Sequence, residues 1–136
     1  MMIIIELPMP YYKRNSKALY TMNVHRNCHH RVAHKFKVDY AKIIQSQLNK
    51  FDNTQMDNVS LEYRMYFKPT SKGKPRHIDM MNVGAIIDKV VSDEIVKYGL
   101  VKDDDIGYIT NVRFFAYPYS GREYCEVRII DASNNR

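Results

Sequence analysis

Residues 77–105 concentrate the carboxylates of a chain whose net charge is +6. The stretch reads HIDMMNVGAIIDKVVSDEIVKYGLVKDDD and holds seven of the 15 acidic residues. When about 100° is allowed per residue of a helix, four polar residues share one stripe: Asp79, Asn82, Lys89 and Asp93. An apolar sector beside the stripe is predicted to meet a sheet, and it consists of Val83, Ile87 and Val90. Asp88 projects to the side opposite the stripe.

Carboxylates that gather at one point need a compensating charge, or one of them must stay protonated. The loop residues Asp103, Asp104 and Asp105 can reach the stripe if the chain turns back after Gly99. Mg²⁺ prefers oxygen ligands and needs only one or two carboxylates when phosphate supplies the others. Such an ion polarises a phosphodiester and generates hydroxide, and Lys89 is in position to stabilise the developing charge. The stretch therefore predicts a Mg²⁺ site for phosphodiester hydrolysis, in which Mn²⁺ is expected to substitute.

Each acidic residue also has a plain structural interpretation. Asp79 is a suitable helix N-cap after KPRHI. Asp88 and Glu94 are typical of a solvated helix face, and Asp93 can pair with Lys97 one turn later. An Asp triplet is a common loop composition. These alternatives predict a helix with no site on it.

The segments DMMN and DKVVSDEIVKYGLVKDDD resemble the RusA family of Holliday-junction resolvases, which are small Mg²⁺-dependent endonucleases of phages and prophages. The family shows an Asp-rich helix start ending in Asp-Asn, a Lys, an Asp four residues later, a Gly that ends the helix, and an Asp-Asp pair. This chain departs at the helix start, where Met81 stands in place of the second carboxylate. The distance from Asn82 to Lys89 is also about one helical turn longer than in the family.

The resemblance implies a role for each matching residue. The metal ligands it implies are Asp79 and Asp104. Asp103 is included because the triplet permits a shift of one residue, and Asp88 would replace the missing carboxylate only if the helix is bent. Lys89 would be the catalytic amine, with Asn82 and Asp93 in supporting positions. A homodimer is implied as well, since symmetric incision of a four-way junction needs two sites related by a two-fold axis.

Two basic segments accompany the acidic helix. No acidic residue occurs between Leu7 and Val38, and the loop KPTSKGKPR leads almost directly into Asp79. These segments supply the residues predicted to contact DNA: Lys13, Arg14, Lys17, Arg31, Lys68, Lys72, Lys74 and Arg76. Three tyrosines are predicted to stack on unpaired bases, namely Tyr11, Tyr12 and Tyr20. A solvated basic loop is the competing interpretation.

The predicted elements form one domain over residues 1–136. They are strands over Ile3–Leu7 and Val59–Phe67, helices over Lys35–Phe51 and Asp79–Tyr98, and strands over Ile109–Tyr117 and Glu123–Ile130 joined as a hairpin. Residues 8–33 are a basic segment that is functional, mobile, or built of elements without a periodic signal. The order β-α-β-α-β-β predicts an α/β (α+β) domain with a single mixed sheet and two main helices.

Composition limits the setting of this domain. No apolar run approaches the roughly 20 residues of a membrane helix, and the N-terminal MMIIIEL lacks the charged leader of a signal peptide. Two cysteines without a disulfide framework predict a reducing cytoplasm, which the resemblance makes that of a bacterial phage host. Cys28, His30 and His34 would need a fourth ligand to hold zinc, and the sequence offers no second cluster.

Two functions from different classes follow. The first is a Mg²⁺-dependent endonuclease that resolves four-way junctions or other branched DNA. The second is a DNA-binding or regulatory protein of the same fold that does not cut, a hypothesis favoured by Met81 at the ligand position. The sequence leaves open the branched substrate and which residue of the Asp triplet coordinates.

Overall fold

The computed structural model describes residues 1–12 and 18–132. The elements within these residues are β1 (Met2–Leu7), α1 (Met22–Asn27), α2 (His30–Leu48), β2 (Val59–Tyr66), α3 (Met80–Tyr98), β3 (Ile109–Tyr117) and β4 (Tyr124–Asp131). The four strands form one sheet in the order β1-β4-β2-β3. The predicted single mixed sheet with two main helices is confirmed. No helix in the described part of the chain is long and apolar enough to cross a membrane.

The core lies between one face of the sheet and the helices. Burial alternates along β1, β2 and β4, as expected for strands with one covered face. On β2 the covered residues are Val59, Leu61, Tyr63 and Met65. From α3 the core receives Val83, Ile87 and Val90, so the predicted apolar sector does meet the sheet.

The predicted hairpin between the last two strands is wrong, because β2 lies between them. β3 pairs with β2 in parallel, whereas β4 runs antiparallel to both β2 and β1. The segment PYSGR does reverse the chain, and Gly121 has a left-handed φ of 100°. β4 instead lies between β1 and β2, and its Cys125, Val127 and Ile129 side chains are buried in the core. A turn signal predicts the reversal but not the strand with which the returning chain pairs.

Residues 8–33 contain structure that periodicity did not reveal. A short bridge joins Tyr11 to Leu19, and α1 follows with Thr21 as its N-cap. A helix of six residues is too short to show a 3.6-residue period. The second helix begins at His30 rather than at Lys35, because the His29 side chain accepts a hydrogen bond from the Arg31 N–H.

Gly84 allows α3 to approach the edge strand β3 closely. A Cβ atom at this position would lie 2.5 Å from Cδ1 of Phe114, whose ring stacks on Tyr63 at 5.2 Å. We expect Gly84→Ala to lower the free energy of unfolding by about 1–3 kcal/mol, the usual cost of overpacking. Urea denaturation measures this change, and an unaltered midpoint would contradict the close contact.

Candidate functional site

Asp79 is the N-cap of α3. Its Oδ1 accepts hydrogen bonds from the N–H groups of Met81 at 3.1 Å and Asn82 at 3.4 Å. No described residue donates to Oδ2, which leaves one carboxylate oxygen available to a ligand. The structural interpretation of Asp79 is therefore correct, and it does not exclude the functional one.

A cleft of about 510 Å³ opens at this end of α3. Its lining includes Thr70, Arg76, His77, Asp79 and Asn82. The cleft combines a carboxylate, an amide and cationic or titratable side chains, which suits a hydrated cation or a phosphate oxygen.

Asn82 joins the cleft to α1. Its Oδ1 accepts a hydrogen bond from the Asn23 N–H at 3.0 Å. The polar side chain of Asn82, in the first turn of α3, thus has a defined partner on a neighbouring element. The bond fixes α1 beside the N-terminus of α3.

The basic loop, residues 68–76, borders the same cleft. The N–H of Thr70 donates to the Lys74 carbonyl at 2.8 Å, and Gly73 turns the chain with a φ of 76°. Lys68, Lys72 and Lys74 are all exposed. Three cationic side chains of the loop therefore stand in solvent, while Thr70 and Arg76 of the same loop line the cleft.

Glu123 fixes this loop to the sheet. Its carboxylate accepts from the Lys68 N–H at 2.6 Å, from the Arg76 guanidinium at 3.3 Å and from the Tyr11 hydroxyl. The Glu123 side chain is only 12% exposed. Burial, followed by the Glu123 carboxylate, raises the pKa of Tyr11. Arg76 was predicted to contact DNA, but its guanidinium is already paired with a buried carboxylate.

The Asp triplet lies at the other end of α3. Gly99 ends the helix in a left-handed conformation. The Val59 N–H donates to the Tyr108 carbonyl, so the loop that carries the triplet leads to the end of the sheet where β2 and β3 start. Asp79, by contrast, follows the end of β2. A helix of 19 residues spans about 28 Å. The expected return of the triplet to the Asp79 stripe does not occur within one chain.

The three residues of the triplet differ in their local bonding. Asp103 Oδ1 accepts from the Asp104 N–H, and Asp105 Oδ1 accepts from the Gly107 N–H, each at 2.8 Å. No described residue bonds to the Asp104 carboxylate. Asp104 is thus the member of the triplet that is most available to a ligand.

Lys89 shares the stripe with Asp79 but not its position along the helix. Ten residues separate the two, which corresponds to about 15 Å of helical rise. Lys89 instead lies beside α1, where burial and then the charges of Lys89 and Lys37 lower the pKa of His25. Lys89 therefore lies near α1 and does not converge with Asp79.

The remaining stripe residue, Asp93, pairs across to α2. Its carboxylate lies 3.9 Å from Lys37, while Lys97 pairs with Glu94 at 3.2 Å. The predicted pair of Asp93 with Lys97 is therefore wrong. Asp93 and Glu94 therefore both contact side chains of α2, where α2 and α3 pack together.

Glu94 is buried rather than solvated, with 5% of its surface exposed. Gln45 on α2 donates to its carboxylate at 3.1 Å and to its carbonyl at 3.2 Å. The Glu94 carboxylate therefore serves as the hydrogen-bond acceptor for Gln45 within the interface between the two helices.

Asp88 lies against β2 and not in solvent. Its Oδ1 accepts from the Tyr63 hydroxyl at 2.6 Å and from Ser92 at 3.1 Å. Because α3 is one continuous helix, Asp88 stays on the flank opposite Asp79 and does not join it as a ligand. Burial raises the pKa of the Asp88 carboxyl, and the two hydrogen bonds lower it in part.

Asp88 gives the fold a dependence on pH. An acid whose pKa is raised on folding binds its proton more tightly in the folded state, so wild-type stability falls as the pH rises from about 4 through the folded-state pKa. We expect Asp88→Asn to keep the Tyr63 bond and to lack this decline. Asp88→Ala leaves a buried hydroxyl unpaired and should cost about 1–3 kcal/mol. Urea denaturation at several pH values measures both, and an Asn variant with the wild-type decline would exclude Asp88 as its cause.

The basic N-terminal segment is described only in part. Lys13, Arg14 and Lys17 lie outside the described residues, whereas Arg31 is exposed on the first turn of α2. Tyr20 is fully buried and stacks on Phe36 at 3.8 Å, so it is not available to a base.

The other two tyrosines predicted to stack on bases differ from each other. Tyr11 is half-buried and bonded to Glu123, whereas Tyr12 keeps 37% of its surface exposed. Of the three, Tyr12 alone keeps an exposed ring.

Metal ligands do not converge within one copy of the chain. Over residues 1–12 and 18–132, no three His, Cys, Asp or Glu side chains lie close enough to hold an ion. Cys28 and Cys125 are both free. A zinc site of the usual kind needs such a cluster, whereas Mg²⁺ needs only one or two carboxylates when phosphate supplies the other ligands.

Two residues important to this region were not found from sequence. Glu123 immediately precedes β4, and nothing in its neighbourhood along the chain signals three donors from distant segments. His25 lies in a short helix without a periodic pattern, so its position beside Lys89 is a result of tertiary packing. Compared with known proteins, the chain matches no family model and no curated protein.

Proposed function

We propose that this protein binds branched DNA at the cleft beside Asp79 and cuts it as a homodimer. The observation that supports this most is the N-terminus of α3, where the Asp79 carboxylate keeps one oxygen to which no described residue donates and lines a cleft together with Thr70 and Arg76 of the lysine-rich basic loop. A cationic border attracts a phosphate backbone, and the cleft offers oxygen donors at the point where the backbone would pass.

A second copy is part of the proposal because the carboxylates are separated. Asp79 and Asp104 lie at opposite ends of α3, so one chain cannot supply both to a single ion. Two chains related by a two-fold axis can exchange these ends, because each copy then offers its Asp79 to the Asp104 of the partner subunit. Two equivalent sites result, as symmetric incision of a junction requires.

Each residue then has a limited role in the proposed site. Asp79 Oδ2 and the Asp104 carboxylate are the oxygen donors for Mg²⁺, which when bound would polarise the scissile phosphodiester. Asn82 holds α1 at the border of the cleft. Lys89 is about 15 Å further along the helix, so we assign it to a neighbouring phosphate and not to the reacting one.

A second function, DNA binding without cutting, is favoured by Met81. This side chain is 54% exposed at the position where the resemblance would require a carboxylate. A site with fewer carboxylates binds a divalent ion more weakly. The basic loop would still bind the DNA backbone in this case.

Incubation of the protein with a labelled synthetic four-way junction and Mg²⁺ distinguishes the two functions. The proposal predicts paired, symmetric incisions that stop when EDTA is added. A junction that is bound in a gel shift but remains uncut supports the non-catalytic protein. Absence of junction binding would contradict both.

A further inference from the structure

We infer that a column of tyrosines on the face of the sheet away from the helices stacks the unpaired bases of a DNA single strand, with Tyr117 as the main contact. This inference goes beyond the proposed function, since it concerns single strands and a face of the sheet that does not carry Asp79. Burial alternates along β2 and β4, and the side chains that point away from the core are half-buried. Aromatic side chains on such a face bind unpaired bases by stacking.

Three tyrosines form the column, one from each of three neighbouring strands. The register places Tyr66 of β2 opposite both Tyr117 of β3 and Tyr124 of β4. The centroid of the Tyr66 ring lies 4.6 Å from that of Tyr124 and 5.4 Å from that of Tyr117, with interplanar angles of 11° and 21°. Because its two neighbours lie on opposite sides, both faces of the Tyr66 ring are occupied.

The two ends of the column differ. At one end, the guanidinium of Arg122 lies over the Tyr124 ring, 4.1 Å from the ring centroid. At the other end, β3 is the last strand of the sheet, so no side chain of a further described strand stands beyond Tyr117. The Arg64 guanidinium, 5.6 Å from the Tyr117 centroid, belongs to β2 and approaches from the side of Tyr66. The column is therefore open at Tyr117, where an unpaired base can continue the stack.

The neighbouring side chains of β3 extend this surface along the strand. Alternate residues of a strand point to the same face, so Arg113 and Phe115 share the face of Tyr117. The Phe115 ring lies 6.1 Å from the Tyr117 ring at an angle of 38°, and Arg113 is exposed. A cation followed by two aromatic rings suits one strand of DNA, whose backbone contacts the guanidinium while its bases stack on the rings.

The basic loop begins at the same end of the sheet as the column. Lys68 follows Tyr66 by two residues, and its N–H donates to Glu123, which immediately precedes Tyr124. The Lys68 side chain is exposed. A strand whose base stacks on Tyr117 therefore reaches an end of the sheet that carries exposed cations, which complement its phosphates.

Binding of a fluorescently labelled oligothymidine without Mg²⁺ tests the inference apart from cleavage. We expect Tyr117→Leu to weaken this binding by about 5- to 150-fold, the loss that corresponds to removing the stacking surface of one base. Tyr117→Phe keeps the ring and should bind as the wild type does. Tyr108→Leu is the matched control, since Tyr108 is a half-buried tyrosine immediately before the other end of the same strand.

A blunt duplex of the same length supplies a readout that a general loss of structure would also change. Its bases are already stacked inside the double helix, so Tyr117→Leu should affect duplex binding much less than single-strand binding. Equal losses for the two ligands overturn the inference, as does equal weakening by Tyr117→Leu and Tyr108→Leu. A Tyr117→Leu variant that binds oligothymidine as tightly as the wild type overturns it as well.

The outcomes separate this inference from the proposed function. Single-strand binding that depends on the Tyr117 ring supports the inference, even if the protein does not cut junctions. A wild-type protein that cuts junctions but does not bind oligothymidine overturns only the tyrosine column and leaves the nuclease proposal in place.

Discussion

Replacing Lys68, Lys72 and Lys74 together with alanine should lower the affinity for branched DNA by about two to three orders of magnitude at 0.1 M salt. The reason is counterion release. Each lysine that neutralises a phosphate frees nearly one bound cation, and at this salt concentration each release contributes almost one logarithmic unit of affinity. The slope of log affinity against log salt should become less steep by about three.

The control for this variant removes the same charge elsewhere. Lys35, Lys42 and Lys50 are also exposed, and their replacement lowers the net charge by the same amount. This second triple variant should lose much less affinity and keep a steeper salt dependence. Equal losses in the two variants would mean that DNA responds to net charge alone, and the basic loop would then not be a contact.

The second large effect concerns the two carboxylates. We expect Asp79→Asn and Asp104→Asn each to lower the cleavage rate by at least about 100-fold, because even residues that only support metal ligands are worth 10- to 100-fold. Binding should be retained or slightly stronger, since each substitution removes a negative charge near phosphate. Asparagine is as good an N-cap as aspartate, so Asp79→Asn keeps the start of α3.

Asp88→Asn is the control for these variants. Asp88 lies on the same helix, and its substitution removes the same charge. Its carboxylate, however, accepts a hydrogen bond from Tyr63 of β2, on the side of α3 that faces the sheet. Cleavage by this variant should equal that of the wild type. A rate that falls with Asp88→Asn and persists with Asp104→Asn would place the metal on the other flank of α3.

Periodicity and capping were sufficient to locate most of the elements. β1, β2 and both long helices follow alternating or helical patterns that their burial confirms. Asp79 and Gly99 mark the two ends of α3, since one caps the first turn and the other has the left-handed φ that glycine favours. Such signals are local, so they can be read along the chain.

The errors on α3 have one physical origin. The predicted apolar sector held only Val83, Ile87 and Val90. Around the helix axis, however, the buried side chains span an arc of about 180°, with Ile86 at one margin and Ile95 at the other. α3 packs on the sheet and on α2 at the same time, and its covered surface is therefore wide. Glu94 and Asp88 fall within or at the margin of this arc, where each has a partner from another element.

The candidate site depends on distances that a helical projection does not contain. A projection shows angle but not rise, so Asp79 and Lys89 share a stripe while they lie about 15 Å apart along the axis. The position of the Asp triplet depends on how the chain crosses the sheet. Glu123 and the basic loop meet through tertiary contacts between residues 47 or more positions apart in the chain.

Mixing the two inactive variants tests the shared site most directly. In a dimer of one Asp79→Asn chain and one Asp104→Asn chain, one of the two shared sites carries both substitutions, and the other carries neither. We expect each variant alone to leave a four-way junction uncut with Mg²⁺, whereas the co-refolded mixture should regain nicking at one strand per dimer. The contrary result is a mixture that stays as inactive as its components although its subunits are shown to have exchanged. That result would contradict a site shared between two chains.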